Sequence, residues 1–149
     1  MQLSRRLFLQ GTVALASLMA LPRALLAAWP EKAFASSAAS EAMTELFGTD
    51  QTTPSSAISL SAPEIAENGA VVPITVETTL DNVQSVSIVV DKNPRPLAIS
   101  FDIPEGTLPN VACRIKMGQT SPVTAVVKTD SGLFSATKEV KVTIGGCGG

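Results

Sequence analysis

The stretch Val71-Val72-Pro73-Ile74-Thr75-Val76-Glu77-Thr78-Thr79-Leu80-Asp81-Asn82-Val83-Gln84-Ser85-Val86-Ser87-Ile88-Val89-Val90 decides the fold. Val72, Ile74 and Val76 alternate with Pro73, Thr75 and Glu77, and Val86, Ile88 and Val90 repeat the arrangement after Asp81-Asn82. Successive side chains of a strand point to opposite faces, so each run is a strand with one apolar face. Asp81-Asn82 turns the chain between them, because an Asx side chain bonds its own backbone and tolerates positive φ. Val89 and, further on, Val126 are apolar on the opposite parity, which marks extra buried surface outside the main core.

Outward from this pair the pattern continues as short β-rich runs at intervals of roughly 8–12 residues, the mark of an antiparallel sandwich rather than a βαβ fold. About seven strands are expected, over residues 57–62, 71–79, 83–90, 97–103, 110–117, 123–129 and 133–144. Gly, Pro, Asn or Asp stands in each connection, as in Glu67-Asn68-Gly69, Pro104-Glu105-Gly106 and Asp130-Ser131-Gly132. In the last run Phe134, Ala136, Val140, Val142 and Ile144 share the inward parity, but Lys138 interrupts them. A bulge or bend at Lys138 is the expected accommodation.

Before the first strand lies one short helical pattern. Ser40 is placed to cap it, Glu41 complements the positive end of the helix dipole, Met43, Leu46 and Phe47 share a face, and Gly48 stops it. This reads as a small docking helix, followed by a Thr/Pro/Ser-rich linker over residues 49–56. Earlier still, Arg5-Arg6 precedes the apolar run 11–21, a break at Pro22-Arg23 and the small-x-small triplet Ala33-Phe34-Ala35. Adjacent arginines, a short apolar core and such a triplet form a twin-arginine export signal, and the run is shorter than the roughly 20 residues that span a bilayer. Cleavage is expected after Ala35, with Ala27 and Ala28 as nearby alternatives. The expected organisation is a signal peptide over 1–35, helix and linker over 36–56, a β-sandwich over 57–144 and a flexible tail over 145–149. The expected location is the periplasm.

Composition excludes several chemistries. The 149 residues contain no histidine and no tyrosine, so neither a Ser-His-Asp triad nor a His-ligated metal can be built. The chain carries 11 basic and 13 acidic residues; removing Arg5, Arg6, Arg23, Lys32 and Glu31 with the signal leaves 7 and 12, a net charge of −5. An acidic domain without a basic cluster has no electrostatic footprint for nucleic acid or for anionic membranes, so neither is expected as a partner.

The two cysteines differ in setting. Cys113 lies in Val111-Ala112-Cys113-Arg114-Ile115-Lys116-Met117, where it shares parity with Val111, Ile115 and Met117 against Arg114 and Lys116. Two readings stand: a core thiol with an elevated pKa, or one half of a disulfide to Cys147. Cys147 is flanked by Gly145, Gly146, Gly148 and Gly149 just after the last strand. Four residues without Cβ make a slim tail that samples both signs of φ, and five extended residues could carry the thiol about 10–17 Å. The tail contains no cation, helix N-terminus or base that would activate this thiol, so any chemistry must come from an enzyme that accepts it. A two-thiolate metal site lacks the close spacing and the histidines such sites use, and no metal or other cofactor is expected.

The twin arginines, the sandwich containing Arg114-Ile115-Lys116-Met117-Gly118, the late Ser135-Ala136-Thr137-Lys138-Glu139-Val140-Lys141-Val142-Thr143-Ile144 and the ending Gly-Gly-Cys-Gly-Gly closely resemble the SoxY family, carriers of the thiosulfate-oxidising Sox system. The resemblance covers the whole length, with the ending its most specific part. It implies an immunoglobulin-like sandwich paired with a second sandwich subunit, SoxZ. It further implies that a c-type cytochrome joins thiosulfate to Cys147, that a manganese-dependent hydrolase releases sulfate, and that a sulfane dehydrogenase is an optional further visitor. Cys147 matches the family's attachment position and the four tail glycines its swinging arm, whereas Cys113 departs from the family pattern. The expected function is therefore a carrier that holds sulfur covalently on Cys147, not an enzyme. The rival reading is an exported immunoglobulin-like interaction module with a Cys113–Cys147 disulfide.

Overall fold

The structure, a computed structural model, describes residues 29–143. Two helices, α1 (Glu31–Ala35) and α2 (Ala39–Phe47), precede nine strands: β1 (Thr53–Pro54), β2 (Ile58–Ser61), β3 (Ile65–Ala66), β4 (Val72–Thr78), β5 (Val83–Val90), β6 (Leu97–Asp102), β7 (Asn110–Ile115), β8 (Ser121–Thr129) and β9 (Gly132–Val142). The larger sheet runs β1-β9-β8-β5-β6, with β3 also paired to β9, and the smaller one runs β2-β4-β7. All seven expected strands are present, so the chain is an all-β sandwich with a short helical segment ahead of it.

The period-two faces meet as anticipated. Val72, Ile74 and Val76 of β4 pack against Val86, Ile88 and Val90 of β5, with Val123, Ala125 and Val127 of β8 and Val140 of β9 completing the main core. Burying each of the Val and Ile side chains favours folding by about 1.5–3 kcal/mol. Ser87, fully buried on the opposite face of β5, bonds the Ser100 hydroxyl at 2.8 Å. That bond offsets the cost of taking a hydroxyl out of water.

The off-parity apolar residues find a separate cover. Val89, Val126 and Leu97, on the outer face of the larger sheet, form a second cluster with Ala33 of α1 and Ala42 and Met43 of α2. The docking helix thus lies on the sheet, and a second helix accompanies it. Gly48 ends α2 with a left-handed φ of 81° and donates to the Thr44 carbonyl at 2.8 Å. Ser40 does not cap: the N-cap is Ala38, with no side-chain cap bond, and Ser40 stands inside the first turn, where its carbonyl accepts from Thr44 Oγ1.

Two further departures concern β9. Its register with β8 runs without a shift from Ser121↔Val140 to Thr129↔Gly132, so there is no bulge at Lys138. Instead the Lys138 stem follows the inner face and its ammonium donates to the Ala62 carbonyl at 2.6 Å, just beyond β2. The lysine closes the sandwich between β9 and β2, its apolar stem packed and its head bonded. The second departure is that β9 gains parallel partners, β1 at Thr53↔Phe134 and β3 at Ile65↔Lys141. The first of these strands falls within the Thr/Pro/Ser-rich stretch that reads as linker.

Candidate functional site: the base of the C-terminal segment

Cys147 and the glycines Gly145, Gly146, Gly148 and Gly149 lie outside the described residues, as does Cys147 as a disulfide partner. What the structure does place is the point from which they depart. β9 ends at Val142, and Thr143 is the last residue described.

That end is held from three sides. β3 lies parallel to it, with Ala66 opposite Val142, and the Ala66 carbonyl accepts from the Thr143 amide at 3.1 Å. The Val142 amide donates to Thr120 Oγ1 at 3.0 Å. Gly69 presses against the third side: a Cβ there would collide with the Met117 carbonyl oxygen and come within 2.9 Å of Val142 Cγ1. In return the Met117 amide donates to the Gly69 carbonyl at 2.7 Å. Gly69 is a glycine because two backbones approach closely, a need that the Glu67-Asn68-Gly69 turn reading did not reveal. The last residues of the sandwich therefore form an anchored stalk.

Beside the stalk the loops brace one another. Asn93 donates to the Lys116 carbonyl at 2.7 Å and accepts from the Gly118 amide at 3.1 Å, while Gln119 Nε2 donates to the Lys92 carbonyl at 3.0 Å. A cleft of about 370 Å³ follows, where the edge strands β6 and β7 face each other; Arg95, Arg114 and Lys116 supply its only charges. At the opposite end of the sandwich a larger cavity of about 610 Å³ carries Asp81, Glu105 and Asp130. The two cavities thus differ in charge, the smaller lined by cations and the larger by carboxylates.

Cys113 takes the place that parity assigns, opposite Ile74 on the inner face, and packs against the main core. It is only half-buried, because β7 is the edge of its sheet. Among the described residues its thiol has no disulfide partner, and burial pushes its pKa above the ordinary 9.0. A thiol so placed stays protonated at neutral pH and is a poor nucleophile. Among the described residues no group of acidic or cysteine side chains is arranged to hold a metal ion, and no helix is long and apolar enough to cross a membrane.

Comparison with known proteins gives a consistent result. Residues 43–147 match the family described as sulfur oxidation protein SoxY. The chain is similar to the solved structure of the sulfur carrier protein SoxY from Chlorobium limicola f thiosulfatophilum, at 41% identity and a TM-score of 0.63 over 69% of this chain and 94% of that one. A superoxide reductase (neelaredoxin) from Ignicoccus hospitalis aligns at 18% identity with a TM-score of 0.52 over 58% of this chain and 80% of that one, a likeness of fold alone. No match was found among curated protein sequences.

Proposed function

The chain belongs to the SoxY family, whose members carry sulfur rather than catalyse, and from that premise we propose that Cys147 is the residue on which it holds sulfur covalently during thiosulfate oxidation. One observation carries the reading: the family match runs through to residue 147, so it takes in the cysteine and the glycines before it. The contrast with Cys113 supports it, since a half-buried thiol with a raised pKa offers restricted access and little thiolate.

The chemistry asked of Cys147 is modest. Its thiol and thiosulfate lose two electrons to a c-type cytochrome and one proton to water, and are left joined by a sulfur–sulfur bond as Cys–S–S–SO3−. Water then attacks the sulfonate sulfur in a manganese-dependent hydrolase, sulfate and two protons depart, and a persulfide remains on the cysteine. A sulfane dehydrogenase is an optional further visitor, and a SoxZ-like sandwich subunit is the standing partner. Every oxidant, metal and base belongs to the visiting enzymes. The carrier supplies a handle, glycines that add no bulk beside it, and the anchored stalk at Val142 from which the segment departs. The setting is the periplasm, reached through the twin-arginine signal.

Mass spectrometry after incubation with thiosulfate and the partner enzymes tests this. The peptide ending at Gly149 should gain the mass of a thiosulfate-derived adduct, and Cys147→Ser should abolish both the gain and thiosulfate-dependent cytochrome reduction while Cys113→Ser leaves them near normal. Adducts confined to Cys113, or absent altogether, would sink the proposal.

A further inference from the structure

The triplet Ala33-Phe34-Ala35 reads as the end of an export signal, yet the structure employs it otherwise. Ala33 is 1% exposed, in one cluster with Ala42, Met43, Val89, Leu97 and Val126, and Phe34 packs against that cluster. The bond that would be cut, Ala35–Ser36, lies at the C-cap of α1. There both the amide and the hydroxyl of the buried Ser36 donate to the Lys32 carbonyl, at 3.0 and 2.9 Å. Interactions continue upstream: the Phe34 amide donates to the Pro30 carbonyl at 3.2 Å, the Glu31 amide to that of Trp29 at 2.7 Å, and the Trp29 and Phe34 rings stack at 4.4 Å.

We infer that the leader is cut upstream of α1, after Ala27 or Ala28, and that the helix Glu31–Ala35 is a retained part of the folded carrier. The inference rests on the export reading above. A peptidase takes its substrate as an extended strand and cuts where backbone is exposed and loosely held. Residues 33–35 are helical, and Ala33 must leave an apolar contact before they can extend. Twin-arginine export carries cargo that is already folded, so that contact exists before the peptidase meets the chain. Ala33 also has a structural reason to be small, since it and Ala42, also 1% exposed, let two helices lie close over the sheet. Removal of α1 would take Ala33 out of the cluster that holds Val89, Leu97 and Val126, opening an apolar patch on a secreted surface. Ala27-Ala28, just ahead of Trp29-Pro30, supplies small side chains upstream of α1. The step itself is hydrolysis of one peptide bond by a leader peptidase, with water supplying the new carboxylate and amine.

Trp29 is the sole tryptophan and the chain has no tyrosine, which makes the cut easy to read. The protein is expressed with its own leader in a host with twin-arginine export, and its periplasmic form is examined by intact mass and by fluorescence. The expected product begins at Ala28 or Trp29 and shows tryptophan emission. A product beginning at Ser36 and dark in that emission overturns the inference and leaves the export reading standing. A chain found only in the cytoplasm with Met1 intact overturns the export reading, and this inference with it. Ala33→Asp provides a second measurement: it should be exported and cut as the parent is, with a melting temperature lower by about 5 °C or more. An unchanged melting temperature, or an uncut precursor accumulating because a small residue near the cut is lost, overturns the inference as well.

Discussion

Cys113 shows how one residue's chemistry follows from its neighbours. β7 is an edge strand, so the thiol opposite Ile74 is half-buried rather than sealed, and burial alone raises its pKa. In a Cys147→Ser variant, where Cys113 is the remaining thiol, alkylation at pH 8 should be about tenfold slower or more in the folded protein than in urea. Labelling equally fast in both states would contradict the burial. The sign of the linked stability follows: a thiol whose folded pKa is raised binds its proton more tightly in the native state. Its contribution is therefore complete below pH 9.0 and is lost as pH rises through the folded pKa. The parity of Cys113 was legible in Val111, Ile115 and Met117. Its half exposure was not, because strand order within a sheet has no local signature.

At the scale of elements, β9 is where expectation and structure differ most. Its inward parity was readable from Phe134, Ala136 and Val140, but Lys138 suggested a break, and the strand instead runs through unbroken. The lysine is accommodated by a carbonyl at Ala62, 76 positions away in sequence, which no reading of β9 alone could supply. Lys138→Met should keep the stem's packing and the strand's register but lose the donor, leaving the Ala62 carbonyl short of a partner at a cost of about 1 kcal/mol in urea denaturation. A loss near zero would mean that water replaces the ammonium without penalty. The same remoteness explains why β1 and β3 escaped notice. Each is two residues long and is a strand only because β9 presents it with unpaired backbone groups.

Across the whole molecule, the larger sheet is shared by two apolar clusters. Val86 and Val127 face the smaller sheet, while Val89 and Val126 face the helices. A sheet buried on both faces couples the helical segment to the sandwich, so the two should melt together. On a chain that retains Trp29, the urea transition followed by tryptophan emission should coincide with that followed by far-UV circular dichroism; an earlier emission transition would mean that α1 and α2 detach as a separate unit. The sequence by itself determined the sandwich, its seven principal strands, their inward faces and the terminal Gly-Gly-Cys-Gly-Gly, because alternation, turn chemistry and a short motif are all encoded by residues near one another in the chain. Only the tertiary structure decided what covers Val89 and Val126, what holds the end of β9, and that a triplet resembling the end of a leader is packed against a sheet. Those outcomes depend on the cluster that gathers Ala33 with Val126 and on the close approach of Gly69 to Val142, residues that become neighbours only once the chain has folded.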